Sequence, residues 1–207
     1  GAPRRRDVRG RVDPRAEAAR VCAGAAPGAR VARAALCDGG SVIYIGSLSK
    51  VLAPGLRLGY VVAPAPVVER LVRERFVIDR QGDHVAERAA AELIEDGTVM
   101  RHVRRMRRVY GGRRDLLVEL LKSAFGDRIE CKPPTGGMAL WVRVRGPASR
   151  LVAWERRALE RGVAFVAGER LAFDGRPIPF ARIGFAPLDE DEAREAVRRL
   201  ARAFLGA

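Results

Sequence analysis

Apolar positions recur along this chain in two rhythms, and the switches between them predict its elements. Ser41-Val-Ile-Tyr-Ile45 is a β-branched and aromatic run behind Gly39-Gly40, which predicts a buried strand. Val51-Leu-Ala-Pro-Gly55 reads as a turn, and residues 56–63 as a second strand closed by Pro64 and Pro66. Val67, Val68, Leu71, Val72 and Phe76 then return at helical spacing, so Pro66 opens a helix with an apolar face to about residue 77. A second helix runs from Val85 to Ile94 and stops near Gly97. Thr98 to Phe125 predicts one long helix striped by Val99, Val103, Met106, Tyr110, Leu117, Leu120 and Leu121. Gly111-Gly112 lies inside it and costs roughly 1 kcal/mol per glycine relative to alanine, so a kink or local fraying is expected there.

Further on, Met138 to Val144 predicts a strand. Ser149 to Arg161 predicts a helix with Leu151, Trp154, Ala158 and Leu159 inward, ended by Gly162. Residues 163–166 and 180–185 predict two more strands. The last helix starts at Asp189, with Glu192 three residues on in the spacing of a capping box, and buries Ala193, Val197, Leu200, Ala201 and Phe204. Residues 1–40 behave differently. They hold nine arginines against four acids, no aromatic residue and no sustained period, which predicts a disordered or poorly packed segment. No internal repeat interrupts the alternation of strand and helix, so the fold class is α/β.

Composition narrows the classes further. The chain has 207 residues, 48% of them apolar, enough for a real core. No apolar run reaches the length of a membrane span, and no apolar stretch follows the opening Gly1-Ala-Pro-Arg-Arg-Arg, so no membrane partner and no secretory signal are expected. The three cysteines, Cys22, Cys37 and Cys131, lack metal or redox spacing, which predicts no metal site and fits a reducing, cytoplasmic setting. The net charge of +14 invites a nucleic-acid reading. Of the 39 basic residues, however, only Lys50, Lys122 and Lys132 are lysine, a skew that reads as coding bias. The densest cluster, Arg101 to Arg114, lies on the long predicted helix. It reads as a solvated face carrying an exposed His102, with nucleic-acid contact as the alternative.

That skew makes Lys50 informative. A lysine at a strand end among small and hydroxyl residues offers a primary amine that can form an imine, which arginine cannot do. Ser47 and Ser49 can donate hydrogen bonds to a phosphate, and Arg57 can add a charge-assisted pair. Gly46, Gly55 and Gly59 allow close backbone approach.

Taken together, Gly46-Ser-Leu-Ser-Lys50 and Ala53-Pro-Gly-Leu-Arg-Leu-Gly-Tyr60 closely resemble the lysine segment of fold-type I pyridoxal-phosphate (PLP) enzymes. Within them the segment is similar to the branch shared by aminoadipate/kynurenine-type aminotransferases and MocR/GabR-type transcriptional regulators of the GntR family. The likeness continues through Leu93-Ile-Glu-Asp-Gly97, the arginine-rich stretch from Arg101 to Tyr110, Pro134-Thr-Gly-Gly-Met-Ala-Leu-Trp-Val142 and Phe180-Ala-Arg-Ile-Gly-Phe-Ala186.

The resemblance implies a part of the aminotransferase large domain over residues 41–97, an interdomain helix over 98–125 and an α/β small C-terminal domain over 126–207, with 1–40 unassigned. It implies PLP as cofactor, attached to Lys50 as the catalytic lysine, with Ser47, Ser49 and Arg57 on its phosphate. Arg182 would grip the α-carboxylate of an amino acid or amine-bearing ligand. A homodimer is implied for the full-length protein, and DNA binding only through a domain that this chain does not hold. Transaminase and PLP-sensing regulator both remain open, as does a degenerate remnant. The family also places a carboxylate on the pyridine nitrogen, some thirty-odd residues before the lysine. Only Asp13 and Glu17 stand near there, without the surrounding motif, so the role is carried onto neither.

Overall fold

The computed structural model describes residues 43–205, as two compact units that divide between Arg105 and Met106. Residues 1–42, with the segment left unassigned by the sequence, Cys22 and Cys37, lie outside the described residues.

The first unit opens with a hairpin. Strand β1, Tyr44–Ser47, pairs antiparallel with β2, Gly59–Val62, in the register Tyr44↔Val62 to Ser47↔Gly59. The backbone N–H of Leu48 donates to the Leu58 carbonyl at 2.9 Å and extends the ladder by one rung. The second strand is shorter than its apolar pattern predicts. Pro54–Leu56 forms a 3₁₀ turn instead, and Arg57 ends that turn in the left-handed region at φ 51°. Helix α1, Ala65–Ile78, follows its proline start, and α2, His84–Glu95, starts where the Asp83 carboxylate accepts from the Ala86 N–H at 3.0 Å. The expected apolar face of α1 is present, yet none of its residues is buried among the described ones; Phe76 is 67% exposed. A hairpin of four-residue strands offers that face little to pack against.

Helix α3, Thr98–Phe125, has the predicted ends and runs through Gly111-Gly112 without a break. Its first turn is fixed by Asp96, whose carboxylate accepts from the Thr98 N–H at 2.7 Å, while Arg101 donates to the Asp96 carbonyl and the Thr98 hydroxyl. The Thr98 hydrogen bonds hold the Asp96 carboxyl below the usual carboxylate range. His102, expected to be exposed, is half-buried.

In the second unit, β3 (Ile129–Cys131), β4 (Ala139–Val144), β5 (Val166–Ala167) and β6 (Phe180–Gly184) form one antiparallel sheet in the order β3-β4-β6-β5. Helices α4, Ala148–Glu160, and α5, Glu190–Leu205, pack on it with the C-terminal half of α3. Period-2 alternation puts Leu140, Val142, Ala181 and Ile183 into that core. Trp154 of α4 lies at its centre with no exposed surface, its ring against Phe125, Phe165 and Phe204. Its indole N–H donates to the Leu200 carbonyl at 2.9 Å. Leu151 and Ala158 point inward as predicted, but Leu159, in the last turn of α4, is exposed. Strand β5 starts later than its pattern suggests, because Val163 still caps α4 through its N–H to the Ala158 carbonyl after Gly162 turns at φ 75°. The capping box at Asp189 forms reciprocally: Asp189 N–H donates to the Glu192 carboxylate and Glu192 N–H to the Asp189 carboxylate, both at 2.9 Å.

Candidate functional site

The hairpin gathers residues that the sequence spreads over eleven positions. Because Ser47 stands opposite Gly59 and Leu48 is bonded to Leu58, the chain between them closes at one end of the hairpin. Ser47, Ser49, Lys50 and Arg57 all belong to that end. Leu48 is buried and anchors the loop, while the Val51 and Leu52 N–H groups both donate to its carbonyl, at 3.1 and 2.8 Å. Lys50 therefore rides on a tight turn with its side chain exposed. The Ser47 hydroxyl oxygen accepts from the Ser49 N–H at 3.2 Å, which leaves its own proton to donate. Neither the Lys50 nor the Arg57 side chain has a hydrogen bond or ion pair to another described residue.

Two glycines explain how the strands come so close. A side chain on Gly46 would overlap the Tyr60 ring, which lies across it from the paired strand, and one on Gly59 would meet the Gly46 carbonyl oxygen at 2.9 Å. Tyr60, with Tyr44 6.0 Å away between ring centroids, thus forms one wall of the hairpin. The sequence alone does not announce that role. The signal was the Gly46/Tyr60 register pair, which is visible only once the turn length is known.

Arg182 belongs to the second unit. It sits on β6 between Trp141 of β4 and Val166 of β5, on the sheet face turned away from the core, and is exposed. The Trp141 ring stacks on Phe180 at 5.3 Å and 9°. On the other side of Arg182 the paired residues are Ala139 and Gly184. The Arg182 side chain has no hydrogen bond or ion pair to another described residue, whereas Arg143 on the same face is 3.6 Å from Glu130.

Two further residues position that strand. Arg113 donates to the carbonyl of Ala186, just after β6, and Arg114 to that of Pro134, ahead of β4, at 2.8 Å. By sequence alone they belong to the basic cluster from Arg101 to Arg114. Their place on the apolar stripe, between Tyr110 and Leu117, was the signal that sets them apart.

Other candidates carry less chemistry. Burial pushes the Cys131 thiol up from its ordinary value, which suits an inert core cysteine. A cavity of about 460 Å³ opens on the core side of the sheet, near Phe165, Ile183 and Leu188. Its rim carboxylates Glu192 and Glu195 are already bonded to Asp189 and to Arg199. Among the described residues no group of three or more His, Cys, Asp or Glu is placed to hold a metal ion, and no helix is long and apolar enough to cross a membrane.

Residues 18–200 match the family model of aminotransferase class I and II, a match that begins inside the segment left unassigned by the sequence. The chain is 34% identical over 165 residues to a 2-aminoadipate transaminase of Thermus thermophilus, covering 80% of this chain and 41% of that protein. It is 32% identical over 169 residues to the probable rhizopine catabolism regulatory protein MocR of Rhizobium meliloti, covering 80% and 34%. Its fold matches the crystal structure of the α-aminoadipate aminotransferase LysN of Thermus thermophilus, complexed with N-(5'-phosphopyridoxyl)-L-leucine, with a TM-score of 0.75 and 32% identity over 84% of this chain and 44% of that one. The chain thus spans about two fifths of the length of the relatives it matches. With the match running over most of its length, the chain belongs to the aminotransferase class I and II family.

Proposed function

We propose that this chain is the C-terminal part of a PLP-binding aminotransferase domain, with residues 41–97 from the large domain, 98–125 as the interdomain helix and 126–207 as the small domain. The observation that carries the reading is the hairpin end, where the β1–β2 register sets hydroxyl, amine and guanidinium groups on one short loop. That donor set fits the cofactor: two hydroxyls and a guanidinium for a phosphate, and a primary amine for an aldehyde. When bound, PLP supplies an aldehyde for attachment and an electron sink. Lys50 presents the amine that attaches it and, once free, can hold or pass a proton. Ser47 and Ser49 donate to the phosphate, and Arg57 pairs with it. An arginine held in the left-handed region is itself costly, which fits a side chain whose direction matters more than local comfort. Arg182 would take the α-carboxylate of an amino acid, because its fork matches that group bidentately and no described side chain competes for it.

The full protein is then a cytoplasmic homodimer, acting as a transaminase or as a regulator that senses PLP and an amino acid or amine. The regulator is a second reading because regulators and enzymes resemble this chain equally well. The test of the cofactor site compares PLP with pyridoxal, which lacks the phosphate. Arg57→Ala should weaken PLP by about 10- to 100-fold, the worth of one charge-assisted hydrogen bond, and leave pyridoxal unchanged. Equal loss for both would remove Arg57 from the phosphate site.

A further inference from the structure

The arginines of α3 divide into two groups. Arg113 and Arg114 lie on its apolar stripe and are spent on the carbonyls of Ala186 and Pro134. Arg101, Arg104, Arg105 and Arg108 fall at i, i+3, i+4 and i+7 of the same continuous helix, which makes them one exposed stripe. Arg101 keeps a local role at the helix start. The side chains of Arg104, Arg105 and Arg108 have no hydrogen bond or ion pair to any described residue, and neither does that of exposed Arg107 beside them.

Some arginines on the other helices are placed against a carboxylate one turn away, while Arg150, Arg156 and Arg194 stand singly without such a pair. Arg70 pairs with Glu74, Arg88 with Glu92, and Arg198 and Arg199 with Glu195. Between Thr98 and Arg114, α3 has no acidic residue at all. Four like charges so spaced repel one another, and nothing in their own helix offsets them.

We propose that this face of α3 seats the phosphate backbone of double-stranded DNA, independently of the cofactor site. The stripe from Arg101 to Arg108 spans roughly 10 Å of helix axis, about three phosphate steps of one DNA strand. Guanidinium forks match phosphate oxygens. The only aromatic residue on this part of the helix, Tyr110, is half-buried on the apolar stripe, so no stacking platform for a single strand accompanies the charges. Among the described residues, no large apolar side chain between Arg101 and Arg108 is exposed to anchor an acidic protein segment, whereas charge alone suffices for binding a duplex backbone. The contact positions DNA without reading its sequence.

The test uses the full chain and a fluorescently labelled 20-base-pair duplex of mixed sequence, titrated by anisotropy between 50 and 200 mM salt. The triple variant Arg104→Gln, Arg105→Gln, Arg108→Gln should flatten the log–log salt slope by about 2.7, a difference of ~40-fold in affinity change over that range. A charge-matched control, Arg150→Gln, Arg156→Gln, Arg194→Gln, removes three exposed and unpaired arginines elsewhere and should leave the slope as it is. Glutamine is a good helix former, and circular dichroism checks that α3 persists. The variant Arg104→Lys, Arg105→Lys, Arg108→Lys keeps the charge and should keep the slope, so it separates lost charge from lost fold. Equal flattening in the glutamine triple and its control, no duplex binding at 50 mM salt, or tighter binding of a polyglutamate peptide than of the duplex would each overturn the proposal.

Discussion

Replacing Arg182 with alanine should separate ligand binding from stability. The side chain is exposed on the outer sheet face and bonded to no described residue, so its removal leaves no buried group unpaired. Exposed substitutions of that kind stay within about 0.5 kcal/mol, which for a unit of this size is at most ~4 °C in Tm. Removing one partner of a charge-assisted carboxylate pair costs about 2–5 kcal/mol, or roughly 30- to 5000-fold in affinity. Both quantities can be read on one preparation. Trp141, directly opposite Arg182 and 44% exposed, reports events at the guanidinium by its emission, while Trp154 is fully buried and reports unfolding. Amino-acid affinity should fall by the larger factor, PLP affinity should change little, and Tm should hold. An equal loss of amino-acid and PLP affinity, or a Tm drop beyond 10 °C, would refute the reasoning and make Arg182 a structural residue.

Trp154→Ala should cost about 3–5 kcal/mol in denaturant unfolding, since it empties the centre of the second unit; Trp154→Phe should cost about 1 kcal/mol through the lost bond to Leu200. Gly111→Ala should stabilise the protein by up to about 1 kcal/mol, because a methyl group there would meet no atom within 4 Å beyond its chain neighbours and the surrounding helix backbone, and the position is helical; a loss of stability would reveal a packing demand on that glycine. The first turn of α3 should lose support as pH falls. The folded Asp96 carboxyl is held below its ordinary value, so its contribution is full above the unfolded value near 3.8 and disappears as pH drops through the lower, folded one. Amide exchange at Thr98 should rise in that acid window, and Asp96→Ala should abolish the pH dependence.

The sequence disclosed those parts that depend on local periodicity and on short motifs. The bounds of α3, the alternation in β4 and the Asp189/Glu192 box could all be read because each is decided by residues within a few positions of one another. Strand β3 was not foreseen, since three residues carry no measurable period and Ile129–Cys131 is a strand only through its pairing with β4. The end of β2 was overestimated for a related reason. Leu56 and Leu58 alternate like a strand, but Pro54 starts a 3₁₀ turn that diverts them. The fraying expected at Gly111-Gly112 is absent, since the helix is continuous there, and just beyond it Arg113 and Arg114 are bonded to long-range partners that no local pattern announces. At the candidate site, motif likeness singled out Ser47, Ser49, Lys50 and Arg57, which the hairpin sets on one loop. The Gly46–Tyr60 contact and the Trp141–Phe180 stack required the strand register.

The central claim, that Lys50 is the cofactor lysine, can be tested on the chain's three lysines at once. Borohydride reduction of the protein with PLP, followed by peptide mapping, fixes the cofactor to whichever amine holds it. Lys122 and Lys132 are exposed as well, so accessibility alone does not favour Lys50. A pyridoxyl label concentrated on Lys50 and lost in Lys50→Arg is expected; a label on Lys122 or Lys132 of equal or greater yield would remove Lys50 from that role.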